Sequence, residues 1–326
     1  FFANNMNALS LPFKALQIGS AWRADKPQKG RFRQFTQCDI DIIGDGSNLA
    51  EIELVSATAG MLNEFGLGDF TVRINDRRIL RAMAAASGFP EEKYGDVFII
   101  LDKLDKIGVE GVRGMLSDAG FSAGSIDAYC GFFSGGNAPS CSEYLGGRLN
   151  GVLDEKVVKN LDEIISCAGK ITDGRKPVFD PSLVRGMSYY TGPIFEIGLA
   201  DKSELPLSVA GGGRYDEMIG KFTGSRTPVP ACGFSIGLER IIAILKNRNI
   251  PAAKESTVYL IPPDTDRSSL ETVFIKAKKL RLEGKRVMIS PKNKNIKLQI
   301  DKLLELGYTE FIELTPAGGR ILNIKA

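Results

Sequence analysis

Residues 16–43 read LQIGSAWRADKPQKGRFRQFTQCDIDII, and their alternation decides how the surrounding chain folds. Leu16, Ile18 and Trp22 fall on one face, while Gln17, Gly19, Ala21 and Arg23 fall on the other. That period of two marks a strand. Pro27 and Gly30 in DKPQKGR supply a connecting loop. FTQCDIDII then alternates again: Cys38, Ile40 and Ile42 face one way, and Phe35, Gln37, Asp39 and Asp41 the other. The two runs predict an antiparallel strand pair. A face committed to Phe-Gln-Asp-Asp is either a plain solvated surface or a binding surface, and the pattern alone leaves both open.

Working outward, Asn48 and Glu51 have the spacing of a capping box opening the helix LAEIELVSATAGMLNEF, which Gly66 ends. From 78 to 172 helical patterns dominate, interrupted by the Gly/Ser-rich CGFFSGGNAPSCS. Short strands return in PIFEIGL and LPLSVAGGG, and a helix follows GFSIG. From Thr257 onward TVYLI, LETVFIKAKKLRL, RVMIS, NIKLQIDKLLEL and TEFIEL alternate as a βαβαβ unit with a parallel sheet. The stretch around Pro251 reads as a linker. This divides the chain into 1–77, a helical insertion over 78–172, a return over 173–250, and a terminal domain over 255–326.

Composition removes several classes of function. Among 326 residues there is no histidine, which excludes a Ser-His-Asp hydrolase and H-E-x-x-H or His-ligated zinc sites. Gly233-Phe234-Ser235-Ile236-Gly237 spells G-x-S-x-G, yet a nucleophile elbow needs a base beside it. Ser235 is instead expected as a small residue in a strand-to-helix turn. No Walker A sequence occurs, and GGGRYD does not fit a dinucleotide-binding fingerprint. Cys38, Cys130, Cys141, Cys167 and Cys232 are scattered and read as free thiols of a reducing cytoplasm, with no structural metal. No apolar run is long enough to span a membrane. Residues 251–326 carry 14 Lys and Arg against 9 Asp and Glu, whereas the other 250 residues carry 28 against 30. A basic terminal domain on a near-neutral body suggests a polyanionic partner.

Three arginine-bearing segments remain: WRADKPQKGRFRQF, LVRGMSYYTGPIFEI, and SVAGGGRYD leading to GFSIGLER. Arginine binds phosphate through a planar, permanently charged fork. Adenylyl transfer depends on positioning and electrostatics rather than on a nucleophilic side chain. Each arginine taken singly fits a surface ion pair equally well.

Together these segments are recognisable. RADKPQKGRFRQFTQCDIDIIG resembles motif 2 of the class II aminoacyl-tRNA synthetases in its histidyl form, and GFSIGLERI resembles motif 3. LVRGMSYYTGPIFE and SVAGGGRYD resemble the two histidine-specific motifs of the histidyl-tRNA synthetase family. The resemblance implies an α+β catalytic domain with an antiparallel class II sheet, a helical insertion and a C-terminal α/β anticodon-binding domain. It implies use of ATP with Mg2+, L-histidine and tRNA(His) as substrates, and a homodimer. It assigns the α-phosphate to Arg23 and Arg185, both catalytic, the terminal phosphates to Arg31, and adenine to a sandwich of Phe35 and Arg240. It assigns histidine to Gln37, Asp41, Arg185, Tyr189, Tyr190 and Tyr215, with Asp41 and Tyr190 on the imidazole. It gives tRNA contacts to Lys26 and Gln28 near the acceptor end and to Lys292, Lys294 and Lys297 in the terminal domain.

The sequence departs from the family pattern in places. Ser188 stands where aspartate is usual, and Asp25 and Asp41 where glutamate is frequent. The chain starts at Phe1 without methionine, so motif 1, which builds the dimer interface, is expected before Phe1, and a chain lacking it is expected to be inactive. Two alternatives share the fold. One is a non-catalytic paralogue such as the regulatory subunit of ATP phosphoribosyltransferase, and the other is a tRNA-sensing pseudo-synthetase.

Overall fold

The computed structural model describes residues 1–24, 26, 32–133, 135, 138, 140–172, 177–185, 189–201, 208–224, 227–250, 256–315 and 318–322. The chain divides into two compact units, Phe1–Ile244 and Leu245–Ala326.

In the larger unit the expected strand pair forms. β1 (Phe13–Trp22) and β2 (Gln34–Ile43) are antiparallel, with Gly19 opposite Gln37 and Ala15 opposite Asp41. β3 (Phe70–Asp76), β4 (Val178–Phe179), β5 (Pro193–Leu199), β6 (Ala210–Arg214) and β7 (Ala231–Gly237) complete a seven-stranded sheet in the order β1-β2-β7-β6-β5-β3-β4. All neighbours are antiparallel except β3 and β4. β3 was not anticipated, although Phe70, Val72 and Ile74 alternate with Thr71, Arg73 and Asn75 as a strand should.

Ile42 and Ile43 close β2 in the core, whereas Thr36, Cys38 and Ile40 are half-buried and Gln34 is exposed. Ile40 pairs with Phe234, Phe234 with Gly212, Gly212 with Phe195, and Phe195 with Ile74. The Phe195 and Phe234 rings stack at 5.8 Å, one on each side of Gly212. A Cβ at Gly212 would meet the Phe234 Cα at 2.8 Å, so only glycine fits. α1 is a single turn (Phe2–Asn5), and α2 (Leu49–Glu64) lies against β2 and β7. Among the described residues six α-helices fill the insertion: α3 (Arg77–Ala86), α4 (Tyr94–Leu101), α5 (Leu104–Asp118), α6 (Ala123–Cys130), α7 (Cys141–Leu145) and α8 (Glu155–Ile171). Asp76, Ser122, Ser140 and Asp154 cap four of these with their side chains. α9 (Asp216–Thr223) and α10 (Leu238–Asn247) follow β6 and β7.

Two local expectations are corrected. The α2 capping box does not form: Asn48 makes no cap hydrogen bond, and its amide donates to Glu163 at 2.9 Å. Glu51 is drawn instead to Arg214, a stronger, charged partner. Ser235 lies within β7, paired with Asp39 and Gly211, rather than in a turn, and α10 starts only at Leu238.

The smaller unit has the expected alternation: β8 (Ser256–Ile261), α11 (Arg267–Leu282), β9 (Arg286–Pro291), α12 (Ile296–Glu305) and β10 (Glu310–Thr315). β8 is parallel to both β9 and β10. β11 (Gly318–Ile321) adds an antiparallel edge to β10. Val258, Leu260, Leu303, Tyr308 and Phe311 form one core layer, and Tyr259, Val273, Ala277 and Leu314 the other.

Candidate active site

The odd-numbered face of β2 is the wall of a cavity of about 590 Å³, where Phe35, Gln37, Asp39 and Asp41 stand in sequence. Phe35 and Asp41 are six residues apart, about 20 Å at the rise of a strand. The register then fixes what lies beside each. Asp41 is opposite Gly233, Asp39 opposite Ser235, Ser235 opposite Gly211, and Gly211 opposite Glu196. Arg23, Arg185, Tyr189, Tyr190, Tyr215, Glu239 and Arg240 also line the cavity.

At one end Arg23 lies over the Phe35 ring, 4.2 Å from its centroid, and its Nε donates to the Phe32 carbonyl at 2.9 Å. At the other end the Tyr215 hydroxyl donates to Asp41, and the Asp41 carboxylate occupies the space a side chain at Gly233 would need. The Tyr189 ring meets Tyr215 edge-on at 6.2 Å and Tyr190 at 4.5 Å. Burial pushes the Asp41 carboxyl above the ordinary aspartate range, against the pull of the Tyr215 hydrogen bond, and the Asp39 charge adds to the rise. Burial likewise raises Tyr215 and Tyr189, so both phenols stay protonated as donors.

Between these ends sits Arg185, in the row of Asp39. Its backbone is left-handed, φ 54°, which is uncommon for a residue other than glycine. Its guanidinium lies where a side chain at Gly211 would be, and Nη1 pairs with Glu196 Oε2 at 3.2 Å. Gln37 donates to Ser235 Oγ at 2.6 Å and to Asp39 at 3.0 Å.

The cavity thus brings together Arg23, Phe35, Gln37, Asp41, Arg185, Tyr189, Tyr190, Tyr215 and Arg240. Arg240 donates to the Ser208 carbonyl, and the cation facing Phe35 is Arg23. Arg31 and Gln28 lie outside the described residues, as do Asp25 and Ser188. Lys26 is exposed and does not line the cavity. In the smaller unit Lys294 and Lys297 are exposed, whereas Lys292 is paired with Glu313. Arg214 is a buried partner of Glu51 rather than a cavity residue. Sequence reading passed over Glu196 and Glu239. Their only signal was position: Glu196 closes PIFE, and Glu239 precedes Arg240. Glu239 Oε1 accepts from the Thr36 amide at 2.5 Å, tying α10 to β2.

Replacing Asp41 with asparagine tests the far end. A carboxylate held above its ordinary range favours folding only while protonated, below about pH 4, and that contribution is lost as pH rises past the raised value. At pH 7 the Asp41→Asn protein is therefore expected to melt no lower than the parent. Its KM for a ligand N–H donor such as imidazole should rise about 10- to 100-fold, the cost of losing a charged acceptor. A lower melting temperature with an unchanged KM would contradict both parts.

An antiparallel sheet with an arginine- and glycine-lined cavity on one face, followed by a helical insertion and a terminal βαβαβ unit, is the fold of the class II aminoacyl-tRNA synthetases. The crystal structure of histidyl-tRNA synthetase from Nostoc sp. PCC 7120 matches with a TM-score of 0.75 at 24% identity, covering 96% of this chain and 73% of that one. A second, titled an ATP phosphoribosyltransferase regulatory subunit/histidyl-tRNA synthetase from Bacillus halodurans C, matches with a TM-score of 0.65 at 18% identity, covering 96% of this chain and 76% of that one. At these identities both speak to fold alone. Sequence carries the identification further. The family model described as histidyl-tRNA synthetase matches residues 1–241. The histidine–tRNA ligase of Leifsonia xyli subsp. xyli is 42% identical over 95% of this chain and 71% of its own length. The probable histidine–tRNA ligase of Tropheryma whipplei is 36% identical over 98% and 76%. The chain belongs to the histidyl-tRNA synthetase family.

Proposed function

We propose that the chain performs the ATP-dependent ligation of L-histidine to tRNA(His) through a histidyl-adenylate. The observation that carries this reading is the linear order along β2: a cation over an aromatic ring at one end, a half-buried carboxylate with three tyrosines at the other, and Arg185 between them. ATP, entering as its Mg2+ complex, would lie with adenine near Phe35 and Arg240 and its α-phosphate between Arg23 and Arg185. The imidazole would meet Asp41 and Tyr190, leaving the histidine carboxylate facing the α-phosphate. That carboxylate is already ionised and needs no base. Its oxygen bonds to the α-phosphorus as the bond to the β-phosphate bridging oxygen breaks, and pyrophosphate leaves. The terminal ribose hydroxyl of tRNA then attacks the acyl carbon as the bond from that carbon to the phosphate oxygen breaks, and AMP leaves, its phosphate taking up the hydroxyl proton. Arginine donors oppose the negative charge that gathers in the first step.

Lys26 and Gln28 are proposed to touch the acceptor end, and Lys294 and Lys297 to meet tRNA phosphates, with Lys292 weakened by its pairing to Glu313. The exposed apolar row on edge strand β1, Leu16 at 67%, Ile18 at 64% and Trp22 at 71%, supports a homodimer. No described helix is long and apolar enough to cross a membrane, and the proposed setting is the cytoplasm. The test is exchange of labelled pyrophosphate into ATP by the full-length protein. Exchange dependent on histidine is the expected result. Histidine binding without exchange would overturn the reading in favour of a regulatory paralogue.

A further inference from the structure

Behind Arg185 lies a charge network that the reaction as drawn does not use. Glu196 on β5 is directly opposite Arg73 on β3 and directly opposite Gly211 on β6. Its Oε1 is bonded by the Arg73 guanidinium and its Oε2 by Arg185 Nη1 at 3.2 Å. Arg73 is held in turn by Asp180 at 3.0 Å, whose side chain is 3% exposed, and by Asp105 at 3.0 Å. The row across the sheet therefore runs Arg73, Glu196, Gly211, Ser235, Asp39, with Arg185 resting on its glycine.

We propose that Glu196, fixed by Arg73, is a positioning residue that holds the Arg185 guanidinium over Gly211, at the point on β2 where the two ends of the cavity meet. This rests on the reading of Arg185 as an adenylation residue. An arginine side chain has several rotatable bonds, and leaving it free would cost ordering entropy at the moment of reaction. A carboxylate contact on Nη1 orders it beforehand. Sharing the carboxylate with Arg73 divides its negative charge between two cations, so Arg185 keeps its attraction for a phosphate. Burial opposes the charge on Arg73, yet Glu196, Asp180 and Asp105 together outweigh it and hold the guanidinium above its ordinary pKa, so it stays a cation. Arg73 bonds three carboxylates at once, a geometry that suits a fork and not a lysine ammonium.

The test is a double-mutant cycle on pyrophosphate exchange in the full-length protein, with Glu196→Gln, Arg185→Ala and both together. Glu196→Gln keeps the volume and is expected to lower kcat about tenfold, with KM for histidine and ATP within about twofold. In the Arg185→Ala background the same change should alter kcat by less than about twofold, because Glu196 has nothing left to position. Equal losses in the two backgrounds, or no loss in the first, would overturn the proposal. If Arg185→Ala itself leaves exchange unchanged, the reading of Arg185 fails instead. Should Glu196→Gln not fold, by circular dichroism and thermal unfolding, Arg73→Lys takes its place in the same cycle, with the same outcomes deciding.

Discussion

Replacing Arg185 with alanine is expected to slow histidine-dependent pyrophosphate exchange by on the order of 10²–10³-fold, the range for losing one preorganised donor. Histidine binding should persist, because Asp41, Tyr190 and Tyr215 stand at the other end of the same wall. The argument for so large an effect is geometric. Arg185 lies over Gly211 in the row of Asp39, which stands between Phe35 and Asp41 on β2, four residues from the first and two from the second. On the proposed reading, a nucleotide stacked at one end and an amino acid held at the other would bring their reacting atoms to that row. The left-handed backbone at Arg185 points the same way, since such conformations persist where the surroundings demand them. Lysine at this position would restore charge without the fork, and is expected to recover only part of the rate. An Arg185→Ala protein with an unchanged exchange rate would remove this side chain from the chemistry. One that loses histidine binding together with rate would move it to the substrate pocket.

How much of this was legible in the sequence follows from how far apart the partners lie along the chain. Phe35, Gln37, Asp39 and Asp41 share a face because a strand alternates every second residue, so four neighbours on one wall are written locally. The βαβαβ unit is legible for the same reason: its strands and helices each carry their own period. Arg73, Arg185 and Glu196 have no local signature as a group, since register across β3, β5 and β6 unites them only after the sheet forms. The α2 cap shows local spacing misleading the reader. Asn48 and Glu51 have the right interval, but Arg214, 163 residues away, competes for the carboxylate and wins because a buried charge must be paired. Arg214 itself sits in GGGRYD, on the same buried strand as Gly211 and Gly212, which do line the cavity, and only its pairing with Glu51 separates its structural task from theirs.

That pair gives the largest stability effect expected in the molecule. Arg214 Nε and Nη2 grip the two Glu51 oxygens at 2.6 and 2.7 Å, with the side chains only 9% and 1% exposed. The remaining donors reach the carbonyls of Asp45 at 3.0 Å and Ser47 at 2.8 Å, and Asp216 at 3.3 Å. The guanidinium therefore ties the end of β6 to the start of α2 and of α9. Glu51→Ala is expected to cost about 3–5 kcal/mol, because it strands a cation out of water rather than because the pair is strongly favourable in itself. For a unit the size of Phe1–Ile244 that is a fall in melting temperature of roughly 6–20 °C. Replacing both partners by apolar residues of similar volume, Glu51→Leu with Arg214→Met, should restore most of the loss, since no charge is then left buried. Thermal unfolding of the three proteins separates the causes. A single substitution that shifts the midpoint by only a degree or two would mean that water reaches the pair. A double substitution as damaging as the single one would mean that the carbonyl contacts of Arg214, and not the Glu51 carboxylate, hold α2 to the sheet. Because Tyr215 follows Arg214 directly and donates to Asp41, the apolar pair should also raise the KM for histidine if this anchor sets the tyrosine's place over the cavity.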